Sequence, residues 1–137
     1  MEMKNLKTYS KPLLRISLSF LFLYFSIQQF IAPESWISFV PDIALSLGFT
    51  AKTLVLLNAF FELFFGVLLI IGLYTRFSSL VLALHLFGIA FSIGFNPLGM
   101  RDLALALATF SVFLNGPDRY CIDFKMQKSK IRKSTDL

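Results

Sequence analysis

The chain has 137 residues, of which 56% are hydrophobic and only 15% charged, with a mean hydropathy of +0.72. A soluble domain of this size is not so apolar, so the sequence is that of an integral membrane protein. With one Cys (Cys121) and one His (His85), the chain alone cannot build a disulfide, a Cys-x-x-Cys redox pair, a bis-His haem or a four-ligand zinc site, so no metal or haem is expected. The formal charge of +5 sits at the two chain ends around an apolar middle, which fits membrane topology and excludes a nucleic-acid partner.

In chain order, the first apolar run extends from Pro12 to Ala32, interrupted by Arg15 near its start and by Gln28 and Gln29 near its end. Its basic flank resembles a signal peptide, but the run is long and ends in Phe-Ile-Ala-Pro rather than a small-x-small cleavage site, so a retained anchor is expected. Pro33 to Lys52 forms a first loop with Trp36, Phe39 and an apolar stretch, read as a short interfacial helix whose aromatic residues are either anchors or a lid. Further spans are predicted over Thr53–Leu73, Phe77–Phe95 and Leu98–Asn115. The link around Tyr74–Arg76 is so short that spans two and three form an antiparallel hairpin. Residues 124–137 read as a basic, disordered tail drawn to anionic lipid. The expected architecture is an all-α, four-helix membrane bundle occupying residues 1–123, without β-barrel alternation.

Lys4, Lys7, Lys11 and Arg15 lie at the start of span one, Arg76 in the second loop, and Arg119, Lys125, Lys128, Lys130, Arg132 and Lys133 after span four. The other loops hold only Lys52 and Arg101, so the positive-inside rule places both termini in the cytoplasm.

Polar residues inside the spans are the candidate functional groups, because an ionisable side chain in hydrocarbon costs several kcal/mol unless it is paired or used (about 3 kcal/mol or more). Measured from a turn near Thr75, Glu62 and His85 stand at heights of roughly 20 Å and 15 Å at about 1.5 Å per residue, within about a turn of each other. Asn58 precedes Glu62 and Gly66 follows it at helical spacing, so all three share one face of span two. Ser78, His85 and Ser92 share a face of span three. Glu62 and His85 either fix helix register through hydrogen bonds or form a site for a polar head group or a proton relay. Arg101 and Asp102 open span four. They are either a snorkelling Arg with a helix-start carboxylate, or a charge network with Glu62 lining a cavity open outward, whose mouth Gln28 and Gln29 either complete or leave alone while capping the end of span one.

The pattern Asn58-x3-Glu62-x3-Gly66-x2-Leu69-x2-Gly72-x2-Thr75-Arg76 resembles the span-two signature of the DoxX family. Arg101-Asp102, and Gly116-Pro117-Asp118-Arg119-Tyr120-Cys121-Ile122-Asp123 after span four, resemble the family's closing segment, with Asp118 standing where a Gly is usual and Cys121 where a Ser is common. The resemblance covers Leu13 to Asp123. It implies a four-helix bundle related to subunits of thiosulfate:quinone oxidoreductase, in a prokaryotic inner membrane, with quinone as ligand.

The function expected is therefore a small membrane subunit of a redox or oxidative-stress complex that binds a quinone, or a similar lipophilic ligand, near Glu62 and His85, with Asn58, Arg101 and Asp102 as further ligand-binding residues. Electrons would come from a protein partner, and a homo-oligomer is a second form of association. A non-catalytic scaffold or cargo-binding protein and a proton-coupled transporter are the alternatives. Small multidrug-resistance transporters carry their membrane Glu in span one, where this chain has no carboxylate.

Overall fold

The computed structural model describes residues 3–135. Its elements are α1 (Met3–Ile31), a 3-10 helix (Pro33–Phe39), the single turn α2 (Asp42–Leu45), α3 (Ala51–Ile71), α4 (Thr75–Ile93), α5 (Pro97–Asn115) and α6 (Ile122–Thr135). Helices α1, α3, α4 and α5 are long and apolar enough to cross a membrane, and they run up and down as a four-helix bundle.

The spans fall within a few residues of those read from the sequence, except at the start of α1. The expectation began span one at Pro12, a residue suited to a first turn, yet the helix starts at Met3 and carries Pro12 in its interior. At about 1.5 Å per residue its 29 residues span roughly 43 Å, so α1 outruns the hydrocarbon layer. The tail expected to be disordered is helical as α6, exposed from Phe124 to Ser134. Lys, Met, Gln and Arg are good helix formers, and Asp123 in its first turn with Arg132 and Lys133 in its last complement the helix dipole. Asp136 and Leu137, the end of the expected tail, lie outside the described residues.

α1 packs most closely on α3, and α4 on α5. The predicted hairpin of α3 and α4 does form, but its two helices are looser neighbours. Small residues account for the tight pair: Ala83 and Ala90 on α4 and Ala106 on α5 are fully or nearly buried, and Gly99 crosses the end of α4 so closely that a Cβ would collide with the Gly94 carbonyl. Between α3 and α4 stand aromatic rings instead, with Phe61 and Phe65 4.9 Å apart and Phe65 and Phe77 6.0 Å apart. Leu18, Phe22, Leu69, Leu82, Leu86, Ala106 and Val112 make the core, while Phe20, Phe60, Phe64, Phe77 and Phe91 point outward, where lipid would meet them.

The end of the bundle that carries the termini is held by a buried ion pair. Arg15 Nε donates to Asp118 Oδ2 at 2.7 Å, and Arg15 Nη1 donates to the Leu69 and Ile70 carbonyls at 2.7 and 2.6 Å. Those carbonyls lie in the last turn of α3, where the Gly72 amide that caps the helix also donates to Leu69, and one guanidinium ties α1, α3 and the segment after α5 together. From the sequence Arg15 counts with the basic flank; the structure buries it against Asp118. Alongside, Asp123 accepts from the Tyr74 and Thr75 amides at 2.9 and 2.7 Å, capping α4 from a remote segment. Gly72 has a positive φ of 71° and lies against Cys121 so closely that a side chain would not fit.

Burial pushes the Asp118 carboxyl up, but the hydrogen bond from Arg15, the Tyr120 amide and the Arg15 charge outweigh it and hold the group below the usual carboxylate range. Its folded pKa is depressed, so the stability it contributes is complete above about pH 4 and is lost as pH falls through the lowered folded value. Asp118→Ala leaves the Arg15 charge buried and unpaired and should cost about 3 to 5 kcal/mol, whereas Arg15→Met with Asp118→Leu recovers the larger part. Denaturant unfolding in detergent micelles at pH 7 and below pH 4 measures both effects.

Candidate functional site

The other polar cluster lies nearer the opposite end and is built from four helices. Along α1 the buried residues Arg15, Leu18, Ser19, Phe22, Ser26 and Gln29 recur every three or four positions, a single inward stripe that ends at Gln29. On α3, Asn58 and Glu62 stand one turn apart and face that stripe. Asn58 Nδ2 donates to Gln29 Oε1 at 2.8 Å, and Gln29 Nε2 donates to Glu62 Oε2 at 2.9 Å. The amide of Gln29 is thereby fixed at both ends, and Glu62, 4% exposed, is left with Oε1 turned toward α4.

There it meets His85, whose Nε2 lies 3.5 Å from Glu62 Oε1. That separation exceeds hydrogen-bond length, and the buried Nε2 has no hydrogen-bond partner. The imidazole rests on Phe61 with ring centroids 4.7 Å apart. A buried polar atom left without a partner costs about 1 to 3 kcal/mol, so His85 Nε2 is set for a small movement toward Glu62 or for a ligand atom.

Asp102, at the start of α5, is 5% exposed and accepts from Arg101 Nε and Nη2 at 2.9 and 2.8 Å. The Arg101 guanidinium also lies over the Phe25 ring, 5.7 Å from its centroid. Of the two readings for this pair, neither is found whole. Arg101 is half exposed like a rim residue, yet it grips a buried carboxylate, and among the described residues its ion pair is with Asp102 and not with Glu62.

These residues surround one cavity of 560 Å³. The sequence candidates Asn58, Glu62, His85, Arg101 and Asp102 all line it, together with Gln29 and an apolar majority that includes Phe25, Val55, Phe61 and Ile89. Trp36, Phe39, Pro41 and Ala44 of the first loop close it above. The aromatic residues of that loop therefore serve as a roof: Trp36 stands edge-on to Phe25 at 5.7 Å, and Glu34 pairs with Lys52 at 2.7 Å to tie the loop to the start of α3. The Lys52 hydrogen bond holds the Glu34 carboxyl below its ordinary range. Gln29 and Trp36 are the site residues that the sequence reading left undecided. The three-and-four spacing from Arg15 to Gln29 is the signal that distinguishes the inward Gln29 from Gln28.

An up-and-down bundle of four apolar helices around a cavity with an interior carboxyl, imidazole and amide defines a multi-pass membrane protein with a polar site inside its spans. Residues 11–94, more than half of the chain, match the sequence model of the DoxX family, and the chain belongs to that family. The match covers Arg15, Gln29, Asn58, Glu62 and His85 and stops before Arg101 and Asp102. No curated protein and no solved structure matches the chain.

Because Gln29 is held on both sides, the network distinguishes shape from charge. Glu62→Gln retains an acceptor for the Gln29 amide and should leave the thermal midpoint in detergent nearly unchanged. Glu62→Leu strands that buried amide and should lower stability by about 1 to 3 kcal/mol. Equal midpoints for both variants would show that the Gln29 bond carries no weight.

Proposed function

We propose that this bundle is a small membrane subunit of a redox or oxidative-stress complex, binding a quinone or a similar ring compound with a lipophilic tail between α1, α3, α4 and α5. The observation that carries the reading is the buried, unpartnered His85 Nε2 beside Glu62 at the wall of a 560 Å³ cavity. A cavity of that size, mostly apolar with a few convergent polar groups, has the character of a small-molecule site, for which about 300 to 1,000 Å³ is usual.

A bound quinone would supply reversible electron transfer coupled to proton uptake. The chain supplies the surroundings. His85 Nε2 and Glu62 Oε1 hold or pass a proton at the deep end, and Gln29, oriented by Asn58, keeps Glu62 from turning away. Arg101, anchored by Asp102, presents its remaining N–H groups at the mouth, and Trp36 and Phe25 offer ring faces. Electrons come from a protein partner, and a homo-oligomer is the other association this small bundle allows. The membrane is that of a prokaryotic cell, with both termini on the cytoplasmic side. At that end Asp118 and Asp123 are consumed by internal hydrogen bonds, so Lys7, Lys11, Arg76, Arg119 and the basic residues of α6 face anionic lipid without a competing carboxylate from that pair.

Trp36 is the one Trp in the chain and lines the cavity, so it reports occupancy directly. Titration of the protein in lipid nanodiscs with decylubiquinone should quench Trp36 fluorescence saturably, with affinity lowered about tenfold, roughly 1.4 kcal/mol, in Glu62→Leu and in His85→Leu. Quenching that never saturates and is identical in the variants would favour a non-catalytic scaffold in which Glu62 only fixes helix register.

A further inference from the structure

We infer that the ligand of this cavity arrives from within the bilayer, through a gap between the upper halves of α3 and α4, and leaves its tail in the lipid while the head group passes over Gly88 to Glu62 and His85. This rests on the binding role proposed above and adds the route and the kind of molecule that can take it.

The walls of the cavity are unequal. Toward the loop end it is roofed by Trp36, Phe39 and Pro41, and the roof is pinned by the Glu34–Lys52 pair and by the Trp36–Phe25 contact. Toward the other end a ladder of rings runs along the α3–α4 seam, His85 on Phe61, Phe61 on Phe65 and Phe65 on the outer ring of Phe77, at centroid distances of 4.7, 4.9 and 6.0 Å. Between roof and ladder, the lining includes residues that also face outward: Leu57 on α3 is 51% exposed and Leu84 on α4 is 59% exposed. Gly88 lies between Leu84 and Ser92 on the same lip, and a side chain added there would meet nothing within 4 Å. Ser92 is exposed, and its hydroxyl donates to the Gly88 carbonyl of its own helix, so it offers no fixed bond to an arriving head group.

The opening therefore lies along membrane-crossing helices, with lips apolar apart from Ser92, whose hydroxyl is bonded back to its own helix. Water has no reason to fill such a gap, whereas an acyl or isoprenoid chain meets surfaces like its own. A molecule dissolved in the bilayer needs to bring only its head group into the cavity, because its tail can continue through the gap into lipid. A polar molecule without a tail would have to cross the roofed side or enter hydrocarbon first, losing its hydration before it reached the pairing groups.

The test is to plug the lip without touching the polar groups. Gly88→Phe and Ser92→Phe each place a ring in the gap from a different turn of α4, and Leu107→Phe adds the same ring to an exposed position on α5 outside the cavity lining. In nanodiscs, decylubiquinone quenching of Trp36 should weaken about tenfold or more in both plugged variants and match the native chain in Leu107→Phe. A plugged variant that does not fold, judged by helical circular dichroism, leaves the other to decide, and Gly88→Leu replaces both should neither fold. If the native chain binds the probe and folded plugged variants bind it equally well and equally fast, entry through this gap is overturned while the binding site stands. If the native chain shows no saturable quenching, the binding role itself fails, and this inference with it.

Discussion

The hydrogen bond from Gln29 to Glu62 is the interaction on which the interior arrangement depends. Hydrocarbon offers no water to a carboxyl, so a Glu in the middle of a span must find its partners within the protein. Gln29 supplies one by lying at the end of the inward stripe of α1, and Asn58 fixes which end of the amide it presents. From that follow the close packing of α1 on α3 and the direction in which Glu62 looks, across the bundle to His85. His85, whose buried Nε2 makes no hydrogen bond, thereby lines the cavity rather than a packed core.

The bundle divides into a closed end and an open end. At the closed end Arg15 bonds Asp118 and the last-turn carbonyls of α3, Asp123 caps the start of α4, and Gly72 lets the last segment approach. Charge and hydrogen bonds there hold elements distant in sequence. At the open end the cavity lies among the helices, and the roof is a short 3-10 turn tied down by the exposed Glu34–Lys52 pair and ring contacts. An exposed pair of that kind is screened by water and adds little to stability.

Much of this was legible in the sequence because bilayer physics leaves few choices. Apolar runs of about 20 residues marked the helices, and the spacing of Glu62 and His85 about a short turn placed them at one depth. What was not legible came from long-range pairing. Arg15 looked like one more basic residue near a chain end, and Asp118 like a departure from a pattern, because nothing local says that residues so far apart meet. Gln28 and Gln29 were indistinguishable until the buried stripe on α1 chose between them. The roof over the cavity depends on where Trp36 folds back, and a loop carries no periodicity to reveal it. The tail was read by its charge, and charge says less about helix formation than the helix-forming residues that carry it.

The central claim, that Glu62 and its neighbours form a site for a lipophilic ring compound rather than a register pin, is tested most directly by what the protein carries. The native chain and Glu62→Leu are expressed in a bacterial host, purified in mild detergent, and their extracted small molecules compared by mass spectrometry. The account predicts a ring compound with a lipophilic tail enriched over bulk phospholipid in the native preparation and depleted in the variant. Identical extracts from the two, with nothing beyond phospholipid in either, would contradict it.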